Sequence, residues 1–340
     1  MLKYKVAQFN SMRETEKISV FRKGDKMKYH FIINPAAGKG KLAEPLAEKI
    51  KKVCENMGAD YEIYFTTGVG DATRYVRNIA DGGEHSFFAC GGDGTLCEVA
   101  NGIMSLDDRT NIYMGTVPSG TGNDFVRNFT DTENFLDIEA QINSTPMDID
   151  LIGCNGTYAV NMINIGFDCE VVTQKEKLQA HKLFPSKLAY VVGLALTLIR
   201  KPGVNCKISV DGGEAKPHRL LLTTYGNGEF CGGGFHSNPE SSVCNGKINV
   251  LTVANVTRRK FVSIVGSYKK GTHLKHTDIV GSMLADTVKI DFDGLTNICV
   301  DGEITQADAL ELSVARSAVK FLVPCGSEYA KKKQLAEALV

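Results

Sequence analysis

Three times before residue 126 the chain runs an apolar stretch into a glycine-rich turn, and this recurrence constrains the fold more than any other feature. The tightest turn is Cys90-Gly91-Gly92-Asp93-Gly94-Thr95. It follows the apolar run Ser86-Phe87-Phe88-Ala89, and residues 96–103 beyond it carry apolar side chains at helical spacing. Strand, turn and helix N-terminus therefore follow one another. Glycine lets a backbone approach a ligand closely, and the first N–H groups of a helix, with its dipole, favour phosphate oxygens. Asp93 would repel a bare phosphate but could hold one through Mg²⁺. A purely structural turn accounts for an isolated Gly-Gly-Asp-Gly equally well.

The first of the three begins at Lys28-Tyr29-His30-Phe31-Ile32-Ile33, which reads as a buried strand entering Asn34-Pro35-Ala36-Ala37-Gly38-Lys39-Gly40. A helix follows with Leu42, Leu46, Ile50 and Val53 on one face. No Ser or Thr follows Lys39, so this is not a Walker A loop. Residues 61–66 read as a second strand and 72–80 as a second helix. The strand at 112–117 ends in Pro118-Ser119-Gly120-Thr121-Gly122-Asn123-Asp124-Phe125, where Asn123 and Asp124 also suit a helix cap. Strands and helices alternating at this length imply an α/β domain with a parallel sheet covered on both faces. Ligands of such sheets sit at the carboxyl ends of the strands, where all three glycine turns fall.

Near residue 146 the rhythm changes. Residues 151–165, 207–210, 219–225, 247–254, 288–292 and 297–300 read as strands, linked or flanked by turns such as Cys154-Asn155-Gly156, Asp211-Gly212-Gly213 and Asp293-Gly294. This half is expected to be an antiparallel β-sandwich with one helical insertion at about 169–201. A last strand is expected at 319–323, before a Lys-rich tail. The resulting division is an extension at 1–26, an α/β domain at 27–146 on which segment 321–340 folds back, and a β-sandwich domain at 147–320.

Composition narrows the function classes. Formal net charge is zero, so no global field draws the chain to nucleic acid, and an anionic partner must meet a local patch. Two such patches stand out: Lys175, Lys177, Lys182, Lys187, Arg200 and Lys201 in the insertion, and Arg258, Arg259, Lys260, Lys269, Lys270 and Lys275 further on. Either is a solvated face or a contact for an anionic membrane. Ten cysteines lie scattered without a Cys-x-x-Cys pair, which points to reduced thiols in a cytosolic chain. No apolar run approaches the roughly 20 residues a membrane span needs.

Taken together, Asn34-Pro35 with Gly38-Lys39-Gly40, Gly91 to Thr95 with Glu98 and Asn101-Gly102, and Pro118 to Phe125 resemble the diacylglycerol kinase catalytic-domain family. The bacterial soluble lipid kinases, related to sphingosine and ceramide kinases, are the nearest in pattern. The likeness continues through Asp150, residues 161–168, Lys187-Leu188-Ala189-Tyr190, Gly232-Gly233-Gly234-Phe235 and Val300-Asp301-Gly302-Glu303. It implies a cleft between the two domains, with ATP and Mg²⁺ as cofactors. It also implies Asp301 as general base with Glu303 beside it, consistent with a carboxylate raising the reactivity of a weakly nucleophilic lipid hydroxyl. Asn34, Pro35, Gly38, Lys39, Thr67, Gly91, Gly92, Asp93, Gly94, Thr95, Glu98, Gly120, Thr121, Gly122 and Asn123 are the implied nucleotide contacts. Asp93, Asp124 and Asp150 are the implied Mg²⁺ network, with Asp148 two residues from Asp150. Asn245 departs from the family's pattern: it keeps one oxygen where a carboxylate helps hold a structural Mg²⁺, which leaves that second site open.

The expected activity is ATP-dependent phosphorylation of a lipid hydroxyl, with diacylglycerol yielding phosphatidic acid. Another lipid acceptor (a sphingoid base, ceramide or polyprenol), an NAD kinase-like enzyme and a non-catalytic lipid-binding pseudokinase are the alternatives. The expected partners are a membrane lipid and the membrane surface, not nucleic acid, and a homodimer is left open. The expected location is cytoplasmic, at the inner membrane face.

Overall fold

The computed structural model describes residues 27–79, 83–180, 192–193, 196–197 and 203–328. The 1–26 extension, the Lys187–Tyr190 helix and the tail from 329 onward lie outside the described residues. The first half runs β1 (Lys28–Ile33), α1 (Ala43–Met57), β2 (Asp60–Phe65), α2 (Asp71–Ile79), β3 (His85–Gly91), α3 (Asp93–Met104) and β4 (Ile112–Pro118). β1 pairs in parallel with β2 and with β3, and β3 pairs in parallel with β4. Period-two alternation splits the strands between two cores. Phe31, Ile33, Phe88 and Val117 pack with Ile50 and Cys54 of α1, while Ile32, Phe87, Ala89 and Met114 pack with Val76 of α2 and Val99 and Ile103 of α3. Helices thus cover both faces and leave the strand ends, with their glycine turns, open.

After the short α4 (Ile138–Ile142), the second half contains β5 (Thr145–Cys154), β6 (Thr157–Ala159), β7 (Met162–Gly166), α5 (Phe167–Ala180), β8 (Val204–Val210) and β9 (Lys216–Gly226). There follow β10 (Phe230–Cys231), β11 (Phe235–His236), β12 (Ile248–Ala254), α6 (Arg258–Lys269), β13 (Val280–Ala285), β14 (Thr287–Val300) and β15 (Glu303–Val323). β9 pairs with β8 along its first part and β7 along its second, and β14 does the same. The ladder closes on itself around Ile163, Ile165, Ile208, Tyr225, Val288 and Ile290. Both long strands change layers to do this, a corner typical of packed sheets.

Two expectations need correction. The strands at 288–292 and 297–300 are one, β14, with the Asp293-Gly294 stretch bulged out. Asp291 still pairs with Ala309 and Thr296 with Ala307, so β15 holds both flanks in one ladder. The final strand is 21 residues long rather than confined to 319–323. Its first part pairs with β14, Leu312–Ala315 pairs with Leu151–Cys154, and Val319–Val323 pairs with Thr145–Ile149. Lys320 and Phe321 also lie parallel to Tyr113 and Met114 of β4. The expected boundaries at 146/147 and 320/321 therefore fall inside β5 and β15, two paired strands that traverse both halves.

Where those strands pass from one half to the other, the register shifts between Ala315 and Val319, and Ser317 takes φ 45°. Asp150, 3% exposed, lies opposite. It accepts the Ser317 N–H at 2.8 Å and the Gly246 N–H at 2.6 Å, so it fixes the kink and the 244–246 turn together. Asp150→Ala should lower unfolding stability by about 1–3 kcal/mol for each N–H left without an acceptor. Urea denaturation checks this, and the loss should be equal in Mg²⁺ and in EDTA. A loss confined to Mg²⁺-containing buffer would instead make Asp150 a metal ligand.

Candidate active site

The three glycine turns meet at the carboxyl ends of β1, β3 and β4. Ser119 and Gly120 donate their N–H groups to the Gly91 carbonyl at 2.8 and 3.1 Å. A Cβ on Gly120 would fall 2.5 Å from the Gly92 Cα, and one on Gly91 would fall 2.2 Å from the Thr95 Oγ1, so both positions require glycine. Asn34 Nδ2 donates to Thr95 Oγ1 at 3.2 Å. Asn123, at φ 51°, accepts the Gly120 N–H and donates back to the Gly120 carbonyl. Gly38 approaches the Ser119 carbonyl, and Pro35 and Thr121 are exposed beside the junction. The side chain of Lys39 lies outside the described set.

Thr67 and Glu98, both implied nucleotide contacts, are bonded to α2 and the loop that precedes it. The Thr67 N–H and hydroxyl donate to Asp71 Oδ2 at 2.7 and 2.8 Å. Glu98 accepts from the Gly70 and Ala72 N–H groups at 2.8 and 3.1 Å. Together they cap α2 and pin the 66–70 loop. Sequence reasoning missed Asp71, whose carboxyl is held well below the ordinary range by Arg74 and then by the Thr67 donors. Its signal was present: an aspartate at the first position of a helix, four residues after a threonine.

Four carboxylates gather at the start of α3. Asp93 accepts the N–H groups of Asp124 and Phe125 at 3.2 and 3.1 Å. Asp124 in turn accepts the N–H groups of Gly233 and Gly234, both at 2.8 Å, from the β10–β11 hairpin of the other half. Arg127 Nε lies 3.3 Å from Asp124 Oδ1. Burial pushes the Asp124 carboxyl up, and the neighbouring Asp93 charge adds to the rise.

Asp301 and Gly302, at φ 48° and 96°, form the two-residue turn from β14 to β15, the type I′ pattern that Asp-Gly favours. The Asp301 carboxylate turns inward and accepts three backbone N–H groups: Val160 at 2.6 Å, Asn161 at 3.0 Å and Met162 at 2.8 Å. Burial pushes its carboxyl up to about 6 in spite of those donors, with the Asp93 charge contributing. Glu303 is exposed, and its Oε1 lies 3.2 Å from where a Cβ on Gly94 would be. A turn from the second half thus docks against the helix N-terminus of the first. The 160–162 cradle had no role assigned from sequence, because its partner Asp301 is remote in the chain, and Arg127 had none although its partner Asp124 stands three residues before it.

Among the described residues no three acidic, imidazole or thiol side chains form a ready-made metal cage. Mg²⁺ commonly binds through one or two carboxylates plus phosphates and water, and the mutually repelling Asp93 and Asp124 fit that donor set. Asp150 is bound at the β15 kink, where it accepts the Gly246 and Ser317 N–H groups. The Asn245 corner does not fit a second divalent cation. Asn245 Oδ1 accepts the Lys247 N–H at 3.0 Å, and Lys247 Nζ and Arg316 Nη2 both bind Asp286, at 2.7 and 2.6 Å. Arg316 Nε lies 3.0 Å from a Cβ position on Gly246, so two cations already stand where the charge of a metal would go.

Comparison with known proteins identifies the family and the fold. The family model described as the diacylglycerol kinase catalytic domain matches residues 28–154. The one described as the YegS C-terminal NAD kinase beta sandwich-like domain matches 161–323. A diacylglycerol kinase of Bacillus subtilis strain 168 is 30% identical over 281 residues, spanning 80% of this chain and 88% of the relative. The crystal structure of a diacylglycerol kinase from Bacillus anthracis strain Sterne superposes with a TM-score of 0.65 at 20% identity, covering 90% of this chain and 99% of that one.

The junction of glycine turns generates a direct test. Gly120→Ala should lower stability by about 1–3 kcal/mol, because its Cβ must displace backbone rather than a flexible side chain. It should also weaken binding of a non-hydrolysable ATP analogue in calorimetry. Gly68→Ala, with open space around the new Cβ, should leave both unchanged. Parent-like affinity in the Gly120 variant would remove the junction from the binding site.

Proposed function

The chain belongs to the diacylglycerol kinase catalytic-domain family, and on that premise we propose that it is an ATP-dependent lipid kinase that converts diacylglycerol to phosphatidic acid. The observation that carries this reading is Asp301: a buried carboxylate with a raised pKa, delivered by the second half to the glycine-turn junction of the first. The turns around Gly38, Gly91–Gly94 and Gly120–Gly122 would cradle the nucleotide phosphates. Asp93 and Asp124 would hold Mg²⁺, which supplies charge neutralisation for the transferring phosphoryl group.

Asp301 then accepts the proton of the lipid hydroxyl as that oxygen attacks the γ-phosphate. A carboxyl near 6 is well suited to the task, since it is ionised at neutral pH yet basic enough to take a proton. Three N–H donors hold it in place and leave part of its lone-pair capacity for the substrate. Glu303, above Gly94 at the α3 N-terminus, is placed to orient the acceptor or steer charge. No helix among the described residues is long and apolar enough to cross a membrane. In this reading the enzyme works on its lipid from the cytoplasmic membrane surface.

Radiolabel transfer from γ-labelled ATP across diacylglycerol, a sphingoid base, ceramide and undecaprenol tests the proposal. Diacylglycerol should be labelled fastest. Label in none of the four would contradict the kinase reading, and preference for another lipid would move the substrate. Asp301→Asn should lower kcat about 10²–10⁴-fold with ATP binding nearly unchanged. That variant is not isosteric in bonding, because Asn offers one acceptor oxygen where three N–H groups now meet two. A thermal melt therefore accompanies the kinetics. A folded variant with parent-like kcat would exclude Asp301 as the base.

A further inference from the structure

Helices α5 and α6 lie side by side on one face of the second half. Phe167 and Val171 of α5 share a core with Phe261, Ile264 and Tyr268 of α6. The Tyr268 hydroxyl donates to Asp168 Oδ2 at 2.8 Å, joining the two helices. The opposite side of α6 is exposed and basic. Arg258, Val262, Gly266 and Lys270 form one row at i, i+4 spacing, flanked by Arg259 and Lys269. Between residues 258 and 275 the sequence carries six Lys or Arg and no Asp or Glu, in a chain whose formal net charge is zero. Asp278, just beyond, pairs with Lys260 at 3.2 Å.

This face adjoins the candidate active site. Lys269 Nζ lies over the Phe235 ring at 5.9 Å, and Gly271 has no room for a Cβ because His236 is there. Phe235 and His236 are β11, the returning strand of the hairpin whose glycines bind Asp124. One short hairpin therefore separates the basic face from the carboxylate cluster.

We propose that the exposed face of α6 docks the protein on an anionic lipid bilayer. The choice of occupant rests on the lipid-kinase reading, since a substrate confined to a bilayer must reach the cleft from its surface. Charge complementarity supplies the attraction. Val262, 54% exposed at the centre of the row, supplies an apolar side chain for the headgroup boundary. Nucleic acid is disfavoured because the exposed face of α6 carries no aromatic side chain on which a base could stack.

The test uses the full chain, vesicles of 30% phosphatidylglycerol in phosphatidylcholine, and the double variant Arg259→Glu/Lys270→Glu. At about 5-fold per basic residue, the variant's partition coefficient in vesicle sedimentation should fall about 25-fold. Binding by the parent should vanish on pure phosphatidylcholine and in high salt. Melting temperature and turnover of a soluble short-chain diacylglycerol should stay at parent values, while turnover of diacylglycerol in the vesicles drops. Vesicle binding by the variant equal to the parent's overturns the proposal, as does equal parental binding to neutral vesicles. Retention of a single-stranded oligonucleotide by α6 in preference to vesicles overturns it too. Because sedimentation needs no catalysis, intact binding with no lipid phosphorylation would count against the kinase reading alone.

Discussion

The cleft depends on one strand. β15 begins at the Asp301-Gly302 turn, runs against β14 in the closed ladder of the second half, kinks at Ser317 and finishes beside β4 in the first sheet. Its partner β5 makes the same passage. Two hydrogen-bonded strands crossing together resist relative rotation of the halves far better than a single linker would. The distance between the Asp301 turn and the α3 N-terminus is therefore set by sheet geometry. Asp150 fixes the kink by accepting the Ser317 and Gly246 N–H groups, and at the mouth Asp124 ties the halves by accepting the N–H groups of Gly233 and Gly234.

Burying Asp301 has a cost whose sign is informative. Its folded pKa, about 6, lies above the ordinary 3.8, so the native state holds this proton more tightly than the unfolded chain does. The contribution to stability is greatest below about pH 4 and declines as pH rises through 6. At neutral pH the ionised group is a net burden of up to about 3 kcal/mol. A group kept only for stability would be arranged the other way, as Asp71 is. Asp301 carries the burden beside the α3 N-terminus, where the proposed phosphoryl transfer would need a base, in line with the stability that active sites commonly forgo.

The first half was legible because its signals are local: apolar runs, glycine turns and helix starts lie within a dozen residues of one another. The sandwich strands were legible where Asx-Gly turns bracketed them. β15 was not. Residues 303–318 hold Ala307, Ala309, Leu310, Glu311, Leu312 and Ala315, residues with higher helix than strand preference, and the pairing partners β14 and β5 override that preference. Site residues divide in the same way. Asp93, Asp124, Asp301 and Glu303 share a chemistry that the sequence displays, and the fold gathers them. Asp150 shares the chemistry but not the place, because Gly246 and Ser317 claim it from remote positions. Thr67 and Glu98 stand near the turns, yet their bonds go to α2 and its loop.

The central claim is that docking of the Asp301 turn against the first half creates a base of near-neutral pKa. The most direct measurement is a ¹³C NMR titration of the Asp301 carboxyl in the free protein, repeated with Asp93→Asn. A midpoint near 6 in the parent, falling when the Asp93 charge is removed, is the predicted result. A midpoint at the ordinary value near 3.8, or one indifferent to Asp93, would contradict it.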